Sequence, residues 1–332
     1  MRIVRIFSSW LAILVCIVGV MIGEAPTEVE VTCPQPQGCF MAIGEAIEAS
    51  PEGAIIKIGP GTYYEKPLII EKSLILVGAG RTQPVIGPFR TVIQAVGPGA
   101  AITIRYPKGR QDPISVNIKD LAISAWLNED SSNIGIELVG NPGIKREDLQ
   151  LFIEECWIKG FNGIRMRGPA KVTIQRCWIW VESQAIMGGE IEFTLLDSDI
   201  TGGGLSPRIV LTDAEALLQG NRISGPYGAK PEGWGVMAYG KARLTLLGNT
   251  IERNAFGVYL AMDVIAEFRE NKIVNNEKYG IVLALAPCIE GLDRELLFRG
   301  QILGIDNEIH DNGQDLCPED YPWPPGFVRE EG

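Results

Sequence analysis

The chain has 332 residues, 46% of them hydrophobic, with seven cysteines, one histidine and a formal net charge of −11. Such acidity argues against nucleic acid and anionic membrane surfaces as partners. A single histidine argues against a His-based metal site or a Ser-His-Asp relay.

Arg2 and Arg5 precede an apolar stretch from Trp10 to Ile22, followed by Gly23-Glu24-Ala25-Pro26. Thirteen apolar residues suit a secretory signal; counted from Ile6 the stretch reaches 17, and a retained anchor is the alternative. Residues 1–25 are thus expected to be a signal peptide or anchor, 26–316 the folded body and 317–332 a proline-rich cap. The expected location is outside the cytoplasm: secreted, periplasmic or at the cell surface. Membrane contact is expected only through the first segment, if uncleaved. In FMAIGEAIEAS, Phe40, Ile43 and Ile47 fall at helical spacing, which predicts a short amphipathic helix able to plug one end of a column.

From Cys156 onward the chain repeats. ECWI, RCWI, DSDI, GNRI, GNTI, ENKI and DNEI superpose, so one position is held in turn by Cys156, Cys177, Ser198, Asn221, Asn249, Asn271 and Asn307. The steps are 21, 21, 23, 28, 22 and 36 residues. A second element recurs at Gly135-Ile136, Gly163-Ile164, Gly235-Val236, Gly257-Val258 and Gly280-Ile281. Within one period, KARLTLLGNTIERNAFGVYL, apolar residues alternate in three short runs. This pattern predicts a solenoid with three strands per coil, inward residues stacked in a column and parallel pairing between coils. A sandwich or up-and-down barrel would show two-residue hairpin loops and no fixed period. At the recurrent Asn a sharp bend is expected, with the Asn itself in the left-handed conformation and its amides stacked along the axis. A column grows along one axis, so the whole length fits one domain.

Six cysteines lie beyond the first segment, and an exported chain permits disulfides. Cys33 with Cys39 is one pairing that closes a small loop; Cys288 with Cys317 would tie a long insertion to the tail. Cys156 and Cys177 occupy adjacent coils, where stacked free thiols are at least as plausible as a bridge. His310 reads as a solvated turn residue. The tail from Cys317, with Pro318, Pro322, Pro324 and Pro325, is expected not to continue the ladder but to cover the far end.

The residue after the ladder position should point outward; it reads Trp157, Trp178, Asp199, Arg222, Thr250, Lys272 and Glu308. Trp157 and Trp178, with Trp180 nearby, suit a platform for sugar rings, and Asp199 and Arg222 would bind hydroxyls or a carboxylate. The competing reading buries these rings under the insertion at Gly225 to Gly233 or at Pro287 to Gly300. Asp197 and Asp199, two apart on a regular strand, would share a face as a hydrolytic pair, although solvated acidic faces are commoner. On the Gly-Ile strand the outward residues are Glu137, Arg165, Met187, Val210, Met237, Tyr259 and Val282. One carboxylate there does not make a calcium cluster, and Arg165 beside Glu137 reads as a cross-strand ion pair before it reads as a base with a helper.

From about Phe40 to Asn312 the chain resembles the right-handed parallel β-helix proteins of the pectin-lyase-like superfamily. Ala46-Ile47, then Pro60-Gly61-Thr62-Tyr63-Tyr64-Glu65, Ile69, Leu74, Leu76, Gly78 and Gly80, looks like the first coils of pectin methylesterases and many exported β-helix proteins. The fold this implies is all-β: a single-stranded right-handed parallel β-helix with a short N-terminal capping helix. Catalytic carry-over fails, because the Asp-Phe string expected of pectin methylesterases and the Asp-Asp pair expected of polygalacturonases are missing, and His310 precedes Asp311 rather than glycine. The favoured reading is therefore an exported, non-catalytic protein that binds a polysaccharide, a cell-surface glycan or a partner, with no cofactor. The alternatives are a polysaccharide lyase or glycoside hydrolase, with calcium as its possible ion, and a periplasmic accessory factor for metalloenzyme maturation.

Overall fold

The computed structural model describes residues 26–32, 39–40, 42–82, 87–125, 133–226, 230–289, 291 and 293–328. The expected signal or anchor at 1–25 and Cys33 lie outside them. Among the described residues no helix is long and apolar enough to cross a membrane.

Among the described residues, strands cycle through three parallel sheets. The first has eleven strands, from Glu28–Val31 to Gln301–Ile305. The second has twelve, from Cys39–Phe40 to Asn307–His310 and then Phe327–Val328. The third has ten, from Leu68–Ile70 to Gln314–Cys317. One coil is Arg243–Leu247, Thr250–Glu252 and Phe256–Leu260, and the next begins at Ile265–Arg269. Repetition in the sequence becomes register in space: Ile158, Ile179, Ile200, Ile223, Ile251, Ile273 and Ile309 are successive partners and fully buried. Burying each such side chain contributes about 1.5–3 kcal/mol, the main force holding coil on coil.

The bends differ from the expectation. The left-handed residue is the one before the ladder position: Glu155, Arg176, Asp197, Gly220, Gly248, Glu270 and Asp306 all have φ between 46° and 65°. That residue turns the chain and frees the next side chain to point inward. Asn221, Asn249, Asn271 and Asn307 then form the ladder, each of the first three passing its backbone N–H and Nδ2 to the next Oδ1 at 2.9–3.1 Å. A second ladder at the following bend links Asn254, Asn276 and Asn312. Here too the preceding residues, Arg253, Asn275 and Asp311, have positive φ.

The Gly column has a steric cause: a Cβ on Gly257 would sit 2.4 Å from the Gly280 carbonyl oxygen of the next coil. In one coil this column is held instead by Arg208, whose side chain runs into the space left at Gly202 and Gly233.

Helix α1, Ala42–Ala49, buries Ile43 and Ile47 against the first coils. Its first N–H groups are received by the buried Glu65 carboxylate, from Ile43 at 2.8 Å and Gly44 at 3.4 Å. At the far end Phe327 packs on Phe268, with ring centroids 5.6 Å apart. The tail does continue the ladder, by one short strand: Phe327 and Val328 pair with Asn307 and Glu308, because the prolines stop at Pro325. Cys288 and Cys317 are disulfide-bonded, a bond of oxidising compartments, and Cys156 and Cys177 are free and buried. His310 is not solvated but half-buried, its Nδ1 3.0 Å from Asp311 Oδ2.

Candidate functional site

Strands of the second sheet are only three or four residues long here, so each coil presents two outward side chains. The first positions run Trp157, Trp178, Asp199, Arg222 and the second run Lys159, Trp180, Thr201, Ser224. Neighbouring coils are about 4.8 Å apart, which brings side chains in a column into van der Waals contact. The Trp157 and Trp178 rings stack with centroids 5.3 Å apart and planes at 15°. Lys159 Nζ lies 4.9 Å from the Trp157 ring centroid, a cation–π contact that holds this end of the row. Trp178 is 43% and Trp180 42% exposed.

The row continues into polar groups. Thr201 Oγ1 donates to Asp199 Oδ1 at 2.8 Å and lies 3.3 Å from the Ser224 hydroxyl. Arg222 donates from Nε to Glu252 Oε1 at 2.9 Å, and its Nη1 is 3.6 Å from Asp199 Oδ2. Trp178, Trp180, Asp199 and Thr201 line a groove of about 760 Å³, bordered by Glu182, Gly203 and Pro226. Its size falls in the range of small-molecule sites.

Arg208 supports this border. The side chain is 0% exposed and donates to the carbonyls of Gly204 at 3.3 Å, Ser206 at 2.6 Å and Glu232 at 2.9 Å. Burial draws its pKa down to about 10, so it stays charged near neutrality. One cation thereby fixes both turns at the rim. The identity of residue 208 is the signal for this role, since it breaks the small-residue column.

Other site expectations fare differently. Asp197 is not on a regular strand with Asp199: it is the left-handed residue of the bend, and Ser198 between them points inward. The separation expected of a straight strand does not apply, although both carboxylates border a shallower depression with Arg81, Glu155 and Arg176. Glu137 and Arg165 are cross-strand partners, but the ion pair of Glu137 is with Arg167, at 2.8 Å. The insertion at Pro287 to Gly300 does not cover the tryptophans; it lies against the third sheet. Among the described residues no three His, Cys, Asp or Glu side chains converge to hold a metal ion.

Comparison with solved structures finds the same architecture at low identity. A tailspike of an Acinetobacter phage is 11% identical, with a TM-score of 0.57 over 84% of this chain and 51% of its own. Tailspike protein 2 of an Escherichia coli O157:H7 bacteriophage is 13% identical, with a TM-score of 0.56 over 85% of this chain and 42% of its own. The pectin methylesterase of Aspergillus niger is 14% identical, with a TM-score of 0.53 over 73% of this chain and 87% of its own. At these identities the likeness is one of fold. No curated protein matches the chain by sequence. The model of the right handed beta helix region matches residues 114–291, more than half of the chain, and the protein belongs to that family.

Proposed function

We propose that the protein is an exported, non-catalytic β-helix that binds a polysaccharide or cell-surface glycan along the second sheet. The observation that carries this reading is the row of Trp157, Trp178 and Trp180, two rings stacked and two about two-fifths exposed, running into Asp199, Thr201 and Arg222. Aromatic faces suit the apolar faces of sugars, and the polar end suits their hydroxyls. The rings stand on strands, so binding orders no loop at the platform. Glu182 and Asp199 at the groove favour neutral over acidic glycans. The disulfide between Cys288 and Cys317 supports export.

The test is retention on a panel of neutral and acidic polysaccharides, with Trp178→Ala in parallel. Trp178→Ala is expected to weaken binding about tenfold at nearly unchanged thermal stability. No retention on any glycan, or a large loss of stability in the variant, counts against the platform. A lyase or hydrolase is the second reading, favoured by the Arg222, Glu252 and Asp199 cluster at the groove's end. Shortening of a retained glycan during incubation would establish it.

A further inference from the structure

A second concavity lies on the third sheet, away from the tryptophan groove. After Tyr279–Leu283 the chain leaves the column and returns only at Gln301–Ile305. The excursion is pinned at both ends: Phe298 N–H donates to Ala284 O at 2.9 Å, Arg299 N–H to Met262 O at 2.7 Å, and Cys288 is bonded to Cys317. Its middle lays Ile289 and Leu296 over the outward residues of the sheet. The space between, about 540 Å³, is lined by Trp234, Met237, Tyr239 and Tyr259 below and by Ile289, Leu296 and Asp293 above.

Ring order makes this a rigid wall. Trp234 stacks on Phe256 at 3.9 Å and 10°, and Phe256 stacks on Tyr279 at 5.6 Å. Tyr259 stands against Trp234 at 5.0 Å and 76°, forming a corner of two rings. Tyr259 is 8% exposed, and burial raises its phenol pKa, so the hydroxyl is neutral at physiological pH. Among the described residues neither Tyr239 nor Tyr259 has a hydrogen-bond partner for its hydroxyl. Asp293 is exposed, and its Oδ1 accepts the Glu295 N–H at 3.1 Å. No Lys or Arg side chain among the described residues lines the space.

This chemistry selects one class of ligand. Ring faces carry negative charge density and attract a weakly hydrated cation, and a carboxylate adds a counter-charge. An anion would face the Asp293 carboxylate with no Lys or Arg side chain among the described lining residues to offset it. A hard metal ion needs several oxygen ligands, which the lining lacks, and a polyol would leave most of its hydroxyls unmatched against apolar walls. We propose that the pocket between the third sheet and the 287–300 excursion binds a small organic cation, a trimethylammonium or similar alkylammonium head group on a short stem. Its head lies against Trp234 and Tyr259, with Asp293 as counter-ion.

The test uses the intact protein titrated calorimetrically with choline and with 3,3-dimethylbutan-1-ol, its neutral isostere of the same shape. Choline is expected to bind at least about tenfold more tightly than the isostere. Asp293→Asn retains the acceptor for the Glu295 N–H and is expected to weaken choline about fivefold while leaving the isostere unaffected. Trp234→Leu, verified as folded by circular dichroism, is expected to abolish the preference. Equal affinity for the two ligands overturns the proposal, as does the absence of choline binding or choline binding unaffected by both substitutions.

Discussion

Coils around Cys156, Cys177 and Ser198 and coils around Asn221, Asn249, Asn271 and Asn307 use the same bend with different interiors. In the later coils Asn249, Asn271 and Asn307 each accept two N–H groups from the coil before, Asn221 accepts one from Ser198, and every Asn donates to a backbone carbonyl, as Asn249 does to Leu218 at 2.8 Å. In the earlier coils the side chain reaches its own turn, Cys177 Sγ to Gln175 O at 3.2 Å and Ser198 Oγ to Leu196 O at 2.7 Å, and the links between coils are fewer and longer, Cys177 N–H to Ser198 Oγ at 3.1 Å and Cys177 Sγ to Ile153 O at 3.7 Å. Both groups nevertheless have a left-handed residue in front and an isoleucine two places on. The bend therefore belongs to the backbone and the isoleucine stack, and the amides add strength to it. On the outer face of the second sheet the contrast reverses: the thinly bonded coils carry Trp157, Trp178 and Trp180, and the strongly bonded ones carry ion pairs such as Arg222–Glu252 and Lys272–Glu308.

The largest effect expected from breaking this contrast is that of Asn249→Ala. It strips the acceptor from two donors of Asn221, in a fully buried place, and should cost about 3–5 kcal/mol in urea unfolding. Cys177→Ser installs the side chain of the next coil, Ser198, and should change stability by less than about 1 kcal/mol. Equal costs for the two substitutions would show that the ladders contribute alike and undo the distinction. A smaller, pH-dependent effect sharpens it by placing a charge where the ladder has an amide. Burial pushes the Glu65 carboxyl above its ordinary value, more than the two helix N–H groups draw it down. A carboxyl raised in the folded state stabilises below its unfolded pKa, and that contribution is lost as pH rises through the folded value. Glu65→Gln should thus gain on the parent protein as pH rises above the ordinary glutamate value of about 4, in paired thermal melts.

The column was legible because its cause is repetitive: an inward isoleucine must recur once per coil, and it does from Ile158 to Ile309. The capping helix was legible from Ile43 and Ile47 for the same reason. The left-handed position was not, since it is held by acidic residues at Glu155, Asp197, Glu270 and Asp306, by a basic one at Arg176 and by Gly220 and Gly248; only backbone torsion unites all seven. The second ladder has just three members, yet its signal was present as an Asn five places after each of Asn249, Asn271 and Asn307. Pro226 ends that series one coil earlier. At the candidate site the tryptophan row followed from register alone. Arg208 and the roof at 287–300 did not, because each depends on where a long turn folds back, which periodicity does not encode. The wall of the third-sheet pocket had a trace in Trp234, Phe256 and Tyr279, each directly before a recurrent glycine.

A parallel β-helix is, in chemical terms, a polymer of coils whose every terminus is a live end, since the last strands offer unpaired N–H and C=O groups to any further strand. Helix α1 and the Phe327 segment act as chain terminators: the first seats Ile43 and Ile47 across the opening coils, and the second spends the free edge of Asn307–His310 on a two-residue strand. Growth is thus stopped in the described column by two short segments that do not carry the repeat, Ile43 and Ile47 at one end and Phe327 at the other.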